Sequence, residues 1–116
     1  PNLTLGLNSG PFAPTNGGVI YTGTTTKQFQ LSQTITWQAA GGSDHYYSLA
    51  VAVSGLTPPQ SISSSDLDNS RQYPLTSGGN CIITLAPNQN VKAVVRNNQG
   101  AQGVNVYTFQ MTLTEV

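Results

Sequence analysis

Charge is what this sequence has least of. Asp, Glu, Lys and Arg make up 7% of the 116 residues, four of each sign, for a net charge of zero. An ordinary soluble domain carries about 25% charged residues. So few charges, balanced in sign, leave no electrostatic footprint for a phosphate backbone, which argues against a nucleic-acid partner. A membrane surface is disfavoured for the same reason, and no apolar run approaches the roughly 20 residues of a transmembrane helix. The N-terminus lacks the charged-then-apolar pattern of a secretory signal, and Pro1 is compatible with removal of either an initiator Met or a targeting segment. One cysteine, Cys81, excludes an internal disulfide and gives no sign of an oxidising compartment.

Titratable groups are equally scarce. A catalytic mechanism needs them in convergent pairs, and one His, one Cys and four acids permit few. The conceivable dyad is His45 with Cys81. Cys81, however, opens an alternating apolar strand and reads as a small core hydrophobe, while His45 sits at a turn-to-strand junction and reads as an exposed turn residue. One Cys and one His do not make a closed zinc site. Ser65 to Ser70 brings Asp66, Asp68 and Asn69 close together, a partial oxygen-ligand set for Ca²⁺ that lacks both the turn glycine and the bidentate Glu of a calcium loop. No phosphate-cradling Gly-Lys-Ser/Thr loop and no Gly-x-Ser-x-Gly elbow occurs. The expectation is a binding or structural part without cofactor or metal, and not an enzyme.

What fills the chain instead is Thr, Ser, Asn, Gln and Gly, which together account for roughly half of it. The length allows one domain, residues 1–116, able to bury about two-thirds of its unfolded surface. No helical period stands out, whereas period-two alternation recurs. Residues 1–23, rich in Pro and Gly, read as an extended arm or loop with a short strand at Leu3 to Leu7. From Thr24 to Ala39 a long strand places Lys27, Phe29, Leu31, Gln33, Ile35 and Trp37 on one face and Thr and Gln on the other. Its length predicts a bulge, near Ser32-Gln33 where the apolar face is interrupted. After the turn Gly41 to Asp44, the strand Tyr46 to Ser54 is apolar enough to be covered on both faces. Gly55 to Gly79 exceeds the usual loop length, so it holds a short strand or carries function. Cys81 to Leu85, Val91 to Arg96 and Val104 to Val116 are the closing strands, the last with Tyr107, Phe109, Met111 and Leu113 inward. Such a series of strands with polar, Thr-rich outer faces predicts an all-β fold, an antiparallel sandwich or barrel.

Aromatic faces rimmed by amides and carboxylates are the usual make-up of a sugar site. Trp37, Tyr46, Asp66, Asp68, Asn69, Arg71 and Tyr73 are the candidates for one, although Trp37 shares the core phase of Phe29, Leu31 and Ile35. The triplet Asn2-Leu3-Thr4 fits the glycosylation pattern, with no sign of secretion to accompany it.

From Asp44 onward, "DHYYSLAVAVSG", then "NCIITLAPNQNVKAVVRNNQG", then "YTFQMTLTEV" resemble the second half of jelly rolls of the tumour-necrosis-factor/complement type. The whole, charge-poor and rich in small polar residues, is similar to tailed-phage capsid decoration (cement) proteins and fibre heads. The resemblance implies an antiparallel jelly roll with an extended N-terminal arm, assembled as a homotrimer on the capsid surface of a virion. The partner it implies is the major coat protein, with Phe12 and Tyr21 of the arm and Tyr107 and Phe109 of the last strand as candidate contacts. A carbohydrate-binding head is the alternative.

Overall fold

The computed structural model describes residues 10–15, 17–40, 46–67, 74–100 and 103–116. Its elements are β1 (Phe12–Thr15), β2 (Gly18–Tyr21), β3 (Lys27–Ala39), β4 (Tyr46–Val53), a 3₁₀ turn (Pro59–Ser61), β5 (Ser63–Asp66), β6 (Leu75–Leu85), β7 (Asn90–Asn97) and β8 (Val104–Glu115). Two sheets pack face to face, one in the order β1-β2-β7-β4-β5 and the other β6-β3-β8. Every ladder is antiparallel. The protein is an all-β sandwich.

The period-two pattern explains which face lies inside. Along β3, Phe29, Leu31, Gln33, Ile35, Trp37 and Ala39 are buried, while Gln28, Gln30 and Thr34 between them face solvent. In β4 both faces are covered from Tyr47 to Val51, in keeping with its unbroken apolar and small residues. The interior falls into two clusters. One gathers Tyr21, Phe29, Leu31, Val51, Ile83, Leu85 and Val91. The other gathers Ile35, Trp37, Ala39, Tyr47, Leu49 and Leu67. On β3 the residue between Leu31 and Ile35 that faces inward is Gln33, so a polar side chain separates them.

Several elements differ from expectation. Instead of an arm reaching to residue 23, Phe12 to Tyr21 form a hairpin, with Phe12 opposite Tyr21 and Thr15 opposite Gly18. That hairpin joins the larger sheet through β7; Leu3 to Leu7 lie outside the described residues, as does the Gly41 to Asp44 turn. The long segment after Gly55 contains both the 3₁₀ turn and β5, and β6 begins at Leu75, six positions before Cys81. Thr76 to Asn80 has no apolar residue to mark it as strand. It is held by its ladder to β3, where a Cβ at Gly78 would overlap the Gln33 carbonyl oxygen. The register break of β3 falls at Thr36/Trp37, not at Ser32-Gln33: Thr36 faces Thr108 but Trp37 faces Val106. Tyr107 is the extra residue of the bulge, which turns it outward to 56% exposure. Phe109, Met111 and Leu113 keep the inward phase and pack, half-buried, on the two clusters.

Candidate functional site

Two of the aromatics that sequence reasoning marked for contact are core side chains. Tyr21 is 1% exposed and Trp37 0%. The Tyr21 hydroxyl donates to the Thr25 carbonyl at 2.7 Å, and the ring meets Phe29 edge-on with centroids 5.3 Å apart. Phe12 packs on the same Phe29 ring at 5.1 Å. These three rings pack on one another within the first cluster, an arrangement worth about 0.5–1.5 kcal/mol per pair beyond area burial. Trp37 Nε1 donates to Ser77 Oγ at 3.1 Å, which satisfies the polar end of a ring otherwise surrounded by the second cluster. Neither Tyr21 nor Trp37 offers a face to a ligand.

Tyr46 and Tyr107 do remain accessible, at 45% and 56% exposure. Tyr46 stands opposite Asp66 in the β4–β5 ladder, and its backbone N–H donates to Gln99 Oε1 at 2.8 Å. Of the residues marked for a sugar site, the structure therefore brings Tyr46 and Asp66 together. Asp68, Asn69, Arg71 and Tyr73 lie outside the described residues, and so does His45. Tyr107 donates its hydroxyl to Gln38 Oε1 at 3.2 Å, on the outer side of the smaller sheet. Cys81 is half-buried beside the first cluster, and burial pushes its thiol above the ordinary value. Among the described residues no group of three His, Cys, Asp or Glu could hold a metal ion.

Two features lie outside the residues that sequence pattern singles out. The first is a polar hub inside the sandwich. Gln33, 3% exposed, donates through Nε2 to the Ser61 carbonyl at 3.1 Å. Ser61 in turn donates its hydroxyl to the Pro58 carbonyl at 2.8 Å and accepts the Val51 N–H at 3.3 Å. Gln33 Oε1 has no partner. Beside the hub a pocket of about 160 Å³ opens between the 3₁₀ turn and β6, lined by Leu31, Gln33, Ser61, Ser63, Asn80 and Cys81. The sequence signal for the hub was the glutamine in an otherwise apolar phase.

The second is a trough of about 310 Å³ on the outer face of the larger sheet. Ala50 and Ser48 of β4 form its floor, Ile62 one wall, and Val94, Arg96 and Asn98 the other. The small outward residues of β4 make it possible. Ser48 Oγ is fixed by Ser64 Oγ at 2.8 Å and by Asn98 Nδ2 at 2.7 Å. Among the described residues the ion pair formed is Lys27 with Glu115 at 3.0 Å. Ile62, Val94 and Val95 expose 51%, 36% and 40% of their surface, so the trough is an apolar depression with one cation, Arg96, in its lining. No protein-family model and no curated protein matches the chain.

Proposed function

We propose that the chain is a structural virion protein: a trimeric jelly roll that sits on a capsid and binds and stabilises neighbouring coat subunits. The observation that carries this reading is an almost uncharged polar chain that exposes apolar side chains on its sheets. Charged residues are 7% of the sequence, yet Ile62, Ile82, Val94, Val95 and Tyr107 are all 36% exposed or more. Such a surface gains binding energy from close apolar and hydrogen-bonded contact, with little contribution from charge steering. Near-zero net charge gives weak colloidal repulsion, which suits a protein held permanently against neighbours.

The jelly-roll part of the proposal draws support from the connectivity. β4 pairs with β5, β3 with β6 and β2 with β7, a nest of antiparallel pairs folded over so that alternate pairs lie in opposite sheets. Jelly rolls are built from such wrapped pairs. No catalytic role is assigned to any residue.

Native mass in solution, together with addition of the purified protein to expanded capsids lacking it, tests the reading. A trimer that adds to such capsids is expected. A monomer that fails to add would end it. The alternative, a carbohydrate-binding head, has the Tyr46–Asp66 juxtaposition in its favour, and a glycan array without hits, with and without Ca²⁺, would remove it.

A further inference from the structure

Among the described residues, one of the two long sides of β7 is paired along its length and the other only in part. Its ladder to β4 runs from Asn97 opposite Tyr47 to Val91 opposite Val53. On the other side β2 covers only Asn90, Val91 and Lys92. Among the described residues nothing pairs with that side from Ala93 to Arg96.

Hydrogen-bond parity shows which backbone groups face the gap. The Asn90 carbonyl accepts the Ser54 N–H, on the β4 side, and the Gln89 carbonyl accepts the Tyr21 N–H, on the β2 side. Successive residues of an antiparallel strand alternate between the two sides. Odd-numbered residues of β7 therefore direct their N–H and C=O toward β2, and beyond the end of β2 this leaves those of Ala93 and Val95 facing an edge that no described residue pairs with. Natural sheets blunt such an edge with charged side chains, proline, a bulge or a covering segment, and here the charge is confined to Lys92 and Arg96 at either end of the stretch. Ala93 to Arg96 contains no proline, and no register shift interrupts this ladder.

We propose that this edge binds an extended peptide segment of a partner protein by strand addition. The side chains beside the edge define the segment. Val94 and Arg96 lie on the outer face, opposite Ala50 and Ser48, and form the wall of the trough. Val95 lies on the inner face, opposite Leu49, and is 40% exposed although Leu49 is fully buried. A strand added antiparallel to β7 sets an acidic residue against Arg96, then an apolar residue against Val95, then a second apolar residue against Val94. Opposite charges across a ladder attract and like charges repel, so the order acidic, apolar, apolar is selected. A second copy of this chain is a poorer occupant. Antiparallel pairing of two β7 edges brings Lys92 and Arg96 of one strand close to those of the other, with no acid in either.

The proposal does not depend on the partner being a coat subunit. Its test uses the full chain, ¹⁵N-labelled, titrated with a capped peptide reading threonine-glutamate-valine-isoleucine-threonine and with a version carrying lysine for glutamate. The expected result is at least tenfold slower amide exchange at Ala93 and Val95 with the glutamate peptide. Binding of the lysine peptide should be about fivefold weaker, and R96E should reverse that preference. V95P removes an N–H that faces the gap while leaving the β4 ladder its bonds, and should abolish binding without unfolding the chain. Unchanged exchange at both amides with saturating peptide overturns the proposal. So does protection of them that grows with protein concentration alone, which assigns the edge to a second copy. Loss of capsid addition with these protections intact would overturn the virion reading and leave this one standing.

Discussion

The side chain of Gln33 reaches from the middle of β3 across the sandwich to the backbone of Ser61, its Nε2 donating to that carbonyl at 3.1 Å. One bond thereby ties the central strand of the smaller sheet to the 3₁₀ turn that crosses from β4 to β5. The turn has no side-chain cap of its own. Besides its own backbone bonds, it is held by this bond, by the two made by the Ser61 hydroxyl and by Gln60 Nε2, which donates to the Ile82 carbonyl at 3.1 Å.

A buried amide in that place is sensitive to charge. Gln33→Glu puts a carboxyl beside a carbonyl oxygen, which only the protonated form can satisfy. Burial raises such a carboxyl well above the ordinary glutamate value of about 4.3. A raised folded-state value means that stability is present below the unfolded value and is lost as pH rises toward the folded one. Urea melts should therefore find the variant close to wild type near pH 4 and weaker by about 2–4 kcal/mol at pH 7.

Ser61→Ala removes the acceptor of the Val51 N–H, which lies in a fully covered part of β4. An orphaned buried N–H costs about 1–3 kcal/mol. Chemical denaturation should show that loss, while Ser64→Ala, which removes one exposed partner of Ser48 Oγ and leaves Asn98 in place, should change stability by about 0.5 kcal/mol or less.

Neighbouring glycines of β6 should respond in opposite ways. At Gly78 a methyl group collides with the Gln33 carbonyl oxygen, whereas at Gly79 it meets only Ser63 Cβ at 3.6 Å, an ordinary contact. Gly78→Ala is expected to cost about 2 kcal/mol or more, and Gly79→Ala to gain about 0.5 kcal/mol through reduced freedom of the unfolded chain. Paired thermal melts of the two variants check this.

Trp37→Ala should lower stability by about 3–5 kcal/mol, as for other large buried aromatics. In the native protein this single tryptophan should emit at short wavelength and resist acrylamide quenching, both consequences of its complete burial. Emission typical of exposed indole in the folded protein would contradict its placement.

Cys81 should alkylate slowly at neutral pH. Burial raises its thiol above the ordinary value, so the thiolate that reacts is scarce. The rate with iodoacetamide should climb with pH over a range displaced upward from that of a free cysteine.

These effects fall on residues of unequal legibility in the sequence. The alternation of β3 was plain because Phe29, Leu31, Ile35 and Trp37 are large and evenly spaced, and it carried the fold class. Leu75 to Asn80 was invisible as strand, since its one large apolar residue stands at its end and its partner strand supplies the order. Tyr107 kept an inward phase on paper because a bulge shifts register without altering composition. Tyr21 looked free of core phase because its strand is only four residues long, too short to display a period. The trough depends on which neighbours flank Ser48 and Ala50, and the unpaired stretch of β7 among the described residues on where β2 stops, tertiary facts that local pattern does not encode.

The division of the core by Gln33 gives the molecule two separately observable halves. Trp37 lies in the half that contains Tyr47 and Leu67, and Cys81 borders the half that contains Tyr21 and Phe29. Each residue type occurs once in the chain. Indole fluorescence therefore watches one side of the divide and thiol reactivity the other, and any difference in the order in which they loosen can be timed in the wild-type protein, with no label added.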